Sequence, residues 1–147
     1  MASLNKLKTN VQRINEGAWV TVEIDEDNTF DIRTRGFTAR YRDTLQRLKT
    51  EAAQAVNRKL NPGERIITAD TLPSSIEDVC QGKALADECV LDVRDLFHDD
   101  GTLATVDEFR EMLNDAEQCR AAILLAMQAA QKVTADRDED TKAAVGN

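Results

Sequence analysis

Residues 98–109 read HDDGTLATVDEF, and an acidic pair, a glycine and a carboxylate-bearing helix start are the residue types of a calcium loop. Spacing rejects that chemistry. An EF-hand places glycine at position six and oxygen ligands at positions one, three, five and twelve. With Gly101 at position six, Leu96 falls at position one, His98 at three, Asp100 at five and Asp107 at twelve. Leucine offers no oxygen, imidazole suits a hard cation poorly, and Asp107 is shorter than the bidentate Glu the loop needs. Turn chemistry accounts for the same residues: Asp99-Asp100-Gly101 turns the chain, and Thr105 with Glu108 three residues on forms a capping box for a helix. No metal site is expected.

Other routes to chemistry are equally thin. His98 is the single histidine, and Cys80, Cys89 and Cys119 are odd in number and lack a CxxC pairing, so each thiol is expected on a helix face in a reducing cytosol. There is no GxxxxGK[ST] and no GxGxxG to cradle a phosphate. The expectation is a protein that is not an enzyme and holds no cofactor.

Composition bounds the remaining classes. The chain has 147 residues, 41% apolar but 4% aromatic, so a core must rest on Leu, Ile, Val and Ala. No run approaches the roughly 18 apolar residues of a membrane span, and MASLNKLKTNVQRI lacks the apolar stretch of a secretory leader. The net charge of −8 is unevenly spread. Residues 1–60 hold eleven Lys/Arg against eight Asp/Glu, a balance of +3, and residues 61–147 hold eight against nineteen, a balance of −11. A nucleic-acid binder presents a dominant basic face. Here Arg33, Arg35, Arg40, Arg42, Arg47 and Lys49 form a modest basic run, expected to pair with the acidic second half, so neither nucleic acid nor membrane is expected as a partner.

Periodicity supplies the elements. Leu4, Leu7, Val11 and Ile14 suggest a helix over 3–15, ended by Gly17. AWVTVEI then alternates, with Ala18, Val20, Val22 and Ile24 on one face, and TFDIRTRGF continues the alternation with Phe30, Ile32 and Thr34. The two predict a β-hairpin. Thr38 starts a helix to Leu60 with the stripe Tyr41, Leu45, Leu48, Ala52, Val56 and Leu60, stopped by Asn61-Pro62-Gly63. Ser74 with Glu77 opens a helix whose buried face runs from Ile76 through Cys89, Val90 and Val93 to Phe97. A short helix over 105–113 follows, and Asn114 with Glu117 opens the last one. That helix is apolar around much of its circumference, which places it at the centre of a core or under a partner. The fold class is therefore α+β, mostly α: an N-terminal helix, one β-hairpin, then four helices in one domain spanning 1–133, with a disordered polar, acidic tail over 134–147. Partner-contact candidates are Trp19, Phe37, Phe109, Leu113, Ile123, Leu124 and Met127, each with plain core packing as its alternative.

The order of elements carries a resemblance. INEGAWVTVEIDEDNTFDIRTRGFTARYRDTLQRL, then VLDVRDLFHDDGTLATVDEFREMLND, then an alanine-rich last helix resemble the tail assembly chaperones of tailed bacteriophages over most of residues 14–130. That family joins a hairpin ending in an Arg-Gly or Leu-Gly step to a Tyr/Arg-bearing helix, matched here by RTRGFTARYRDTLQRL. It continues with a leucine, an Asp-Gly turn and a capped helix of carboxylates and apolar residues. Near Val93, where relatives often carry an aromatic, this chain reads VRD. The resemblance implies a protein of the host bacterial cytoplasm, lost from the mature virion. It would keep the tape-measure protein soluble while tail-tube protein assembles around it, acting by binding and release with no bond made or broken, and a homo-oligomer is a further possible partner. Two other classes remain open: a structural connector or tail component using its hairpin to add strands in a ring, and an acidic inhibitor mimicking nucleic acid.

Overall fold

The structure is a computed structural model, and it describes residues 2–135. Its elements are α1 (Val11–Glu16), β1 (Ala18–Asp25), β2 (Asn28–Thr34), α2 (Ala39–Asn57), α3 (Ser74–Glu88), β3 (Val90–Arg94), α4 (Val106–Asn114) and α5 (Cys119–Ala135). The α+β class and the hairpin stand as the alternation predicts. β1 and β2 pair antiparallel with Val20 opposite Ile32 and Val22 opposite Phe30, so one face carries the apolar side chains of both strands.

A third strand stands where the sequence pattern suggests helix. Residues 90–94 form β3, antiparallel to β2, with Ile32 opposite Val93 and Asp31 opposite Arg94. The helix expected to reach Phe97 instead ends at Glu88. Val90, Val93 and Phe97 satisfy a helical spacing, yet the alternation of VLDVR serves equally well beside a strand that needs a partner. The sheet order is β1-β2-β3.

α5 is the centre of the core. Ala122, Ile123, Ala126, Ala129, Ala130 and Val133 are all buried, and α5 packs on β1, β2, α3 and α4. Alanine along this stripe lets the helix lie close to the sheet, where Ile32 is fully buried. Burying Ile32, Leu85 and Leu113 contributes about 1.5–3 kcal/mol for each side chain. The circumference of apolar residues on α5 is thus answered from several sides by this chain itself.

Helix ends show which local signals prevail. Thr38 and Thr105 cap α2 and α4 as expected, and the Thr105–Glu108 capping box is reciprocal. Ser74 is not a cap: Pro73 occupies that position, and its carbonyl accepts from Ile76 and Glu77 N–H at 3.0 Å each. Asn114 closes α4 rather than opening α5, and Asp115 Oδ1 accepts from the N–H groups of Glu117 and Gln118 at 2.9 and 3.1 Å. The N-terminal helix divides into a 3-10 turn, Leu4–Leu7, and the short α1, because only Ile14 of its predicted stripe finds a core to enter. α5 runs through Thr134 and Ala135, two residues past the expected domain end. The tail expected beyond them lies outside the described residues.

Candidate functional site

The HDDG stretch builds a tight turn. Gly101 takes φ 87°, its N–H donates to the His98 carbonyl at 2.9 Å, and His98 N–H donates to the Thr102 carbonyl at 2.8 Å. Asp100 Oδ1 accepts from the N–H and hydroxyl of Thr102 at 2.9 and 2.6 Å, which holds its carboxyl below the usual range. The acidic residues here serve the turn. Among the described residues, no group of three His, Cys, Asp or Glu side chains is placed to hold a metal ion.

On either side of the turn, Phe97 and Leu103 face each other across an isolated β-bridge, and both are more than half exposed. The turn is tied to α4 where His98 Nε2 meets Glu108 Oε2 at 2.8 Å. Glu108 also accepts from Thr105 N–H, the largest of the influences that lower its pKa, with the hydrogen bond to His98 next. One carboxylate thereby caps α4 and fixes the loop against it.

Beside this loop runs an apolar groove of about 480 Å3. Phe30 and Phe109 form its floor in an edge-to-face pair, ring centroids 5.8 Å apart. Ile24, Phe97 and Met112 stand in its walls, exposed by 56%, 57% and 45%. Glu108, Glu111 and Asp115 line it with negative charge. The volume lies in the range of sites that take a ligand or a few side chains. The alternation puts Ile24 on the core face with Val22, but next to the hairpin turn it is left exposed and stands in the groove wall. Phe97 was expected in a buried helix face, and the strand and turn carry it outward. The missed signal was the pair of apolar residues flanking the Asp-Asp-Gly turn.

The structure separates the predicted contact residues. Phe109, Leu113 and Ile123 are buried at 6%, 0% and 5% exposure, so core packing claims them and they are not free surface anchors. Only Phe109 among them touches the groove, as its floor. Leu124 is exposed, and half-buried Met127 receives Gln81 Nε2 at 3.0 Å on its sulfur. Phe37 is half-buried against Tyr41, ring centroids 5.1 Å apart. Trp19 lies on the outer sheet face under the Arg94 guanidinium, 4.2 Å from its ring centroid. Arg94 also meets Asp31 at 2.6 Å, and Asp31 accepts from Thr21 at 2.6 Å.

Parts of the basic run are spent within the chain: Arg40 pairs with Glu88 and Lys49 with Glu77, each at 3.3 Å, as the charge asymmetry suggested. Arg47 pairs along its own helix with Glu51 at 3.2 Å. The thiols offer no nucleophile. All three are buried, and burial pushes Cys89 up to about 12 and Cys80 upward as well. Among the described residues, no helix is long and apolar enough to cross a membrane. The arrangement is suited to binding an apolar segment bearing positive charge. Compared with protein-family models, with curated proteins and with solved structures, the chain shows no match.

Proposed function

We propose that this chain is a tail assembly chaperone of a tailed bacteriophage, acting on the tape-measure protein by binding and release. The observation that carries the reading is the acidic-rimmed apolar groove. Its loop and α4 wall come from the segment VLDVRDLFHDDGTLATVDEFREMLND, on which the sequence resemblance rests. Two features of the groove support a client of this kind. Exposed Ile24, Phe97 and Met112 supply contacts for the apolar stripe of an amphipathic helix. Glu108, Glu111 and Asp115 favour a helix with flanking Lys or Arg, and the net charge of −8 opposes aggregation of the loaded complex.

The test is co-expression with the long helical protein encoded just downstream, with Phe97→Glu/Met112→Glu as the comparison. The expected result is that the long protein stays soluble and co-purifies with the wild-type chain, and is lost with the variant. An insoluble long protein in both cultures refutes the reading. The alternative of a virion component rests on β1, an eight-residue strand at the edge of the sheet, and predicts this chain in purified particles.

A further inference from the structure

The two edges of the sheet are finished differently. On β3, Asp92 Oδ1 accepts from the Val93 N–H at 2.8 Å, and Arg110 Nη2 donates to the Val90 carbonyl at 2.9 Å. Side chains thus occupy main-chain groups of that strand, one way in which a sheet edge is closed to further pairing. β1 has no such finish. Beyond its ladder with β2, residues 18–24 make no main-chain hydrogen bond among the described residues. Its sequence, AWVTVEID, holds no Lys or Pro, the residues that commonly guard an exposed edge.

The outer face of β1 is complementary to a reversed copy of itself. Trp19 stands near one end, opposite Arg33 of β2 and under the Arg94 guanidinium. Glu23 stands near the other end, opposite Thr29. Arg33 and Glu23 are both exposed, and neither makes an ion pair among the described residues. Asp92, across from Arg33 on β3, is engaged with Val93 instead. Outward side chains must meet outward ones, and the irregularity after Glu23 limits regular pairing to the residues before it. A two-fold axis at Thr21 meets both conditions. Thr21 then faces its own copy, Val20 faces Val22, and Glu23 of each chain faces Trp19 of the other. Glu23 comes within two strand spacings, about 10 Å, of the Arg33 beyond Trp19, a gap that two long side chains close. An axis at Val20 would leave Glu23 opposite Gly17, and a parallel pairing would set Glu23 beside Glu23.

We propose that two copies of this chain pair their β1 strands antiparallel about Thr21, joining two three-stranded sheets into one of six. A foreign strand could use the same hydrogen bonds, but the reversed copy supplies both charge matches at once. The contact is isologous and closed, because the edge left on each side is the finished one, β3. It does not rest on the chaperone reading.

The experiment combines light scattering with cysteine trapping on the full-length chain. Wild type is expected at twice 16.4 kDa, with no further growth as concentration rises. Thr21→Cys sets two thiols directly opposite each other, a separation that a disulfide spans, so mild oxidation should link the chains in pairs. Glu23→Cys sets its two thiols four residues apart, about 14 Å along the strands, and should stay unlinked. Cys80, Cys89 and Cys119 are buried, which keeps the background from native thiols low. Arg33→Glu acts twice by symmetry and should raise the dimer Kd about tenfold, and adding Glu23→Arg should restore it. Circular dichroism checks that each variant keeps the wild-type fold. A wild-type chain that stays monomeric overturns the proposal, whatever else covers β1. Growth past a dimer overturns it as well and favours strand addition in a ring. Equal linking of Thr21→Cys and Glu23→Cys, or no rescue by Glu23→Arg, refutes the pairing described. The co-expression result is separate: a long protein that stays insoluble beside intact dimers refutes only the chaperone reading, and a soluble one beside monomers refutes only the pairing.

Discussion

Gly82 lies within α3 where that helix crosses the last turn of α4, and Gly82→Ala sets two effects of opposite sign against each other. In an exposed helix interior the change gains about 1 kcal/mol, because glycine loses more backbone freedom on folding. Here an added Cβ would collide with the backbone carbonyl oxygen of Leu113, with Ile123 Cδ1 close behind at 3.4 Å. A main-chain oxygen in a buried helix turn cannot rotate aside, so the two helices must part. Leu113 is fully buried, and the separation loosens its packing. Overpacking of this kind costs about 1–3 kcal/mol. Since the obstacle is backbone, the upper end applies, and the net loss is about 2 kcal/mol after the helix gain. At roughly 4 °C per kcal/mol for a chain of this size, Tm falls by about 8 °C. Urea unfolding followed by circular dichroism gives the free energy directly, with exposed Lys83→Ala on the same helix as a control expected within about 0.5 kcal/mol of wild type. If Gly82→Ala is as stable as wild type or more so, α3 and α4 do not approach as described. The placement of α4 as a groove wall then falls with it.

Phe109→Ala should destabilise by about 3–5 kcal/mol in the same assay, because it empties a buried aromatic site against Phe30, whereas exposed Leu124→Asp should shift stability by less than about 1 kcal/mol. Equal effects would refute the division of the α4 and α5 residues into core and surface. Asp31 is held below its ordinary 3.8 by the Thr21 hydroxyl and then by Arg94, so its stabilising contribution is present above about pH 4 and lost as pH falls through the lower folded value. Asp31→Asn should therefore cost stability at neutral pH, and the gap to wild type should shrink below about pH 4; a gap independent of pH would sink the assignment. Native protein should react slowly with a thiol reagent at about pH 8 and release its three thiols on unfolding, since all are buried and Cys89 is raised to about 12. Rapid titration of Cys89 in the folded chain would contradict its burial.

What the sequence by itself determined was whatever short-range chemistry decides. Strict alternation in AWVTVEI and TFDIRT specified the hairpin, since a period of two puts Val20, Val22, Phe30 and Ile32 on one face and a slip of one residue would expose them all. Thr38 and Thr105 announced their helices because a cap and its N–H donors lie within three residues. The HDDG spacing excluded a calcium loop for the same reason: every relevant atom belongs to one short segment. Tertiary structure decided what depends on distant neighbours. VLDVR fits either period, and pairing of Val93 with Ile32 across some sixty residues made it a strand. Leu4, Leu7 and Val11 have helical spacing, but only Ile14 meets a surface that can bury it, so the predicted helix broke up. The groove draws Ile24, Phe97, Met112 and Leu125 from four separate segments, and whether each is exposed depends on where the body of the fold ends. Alternation and capping are local energies carried by the chain itself, while the exposure of an apolar side chain is settled only by what the rest of the molecule covers.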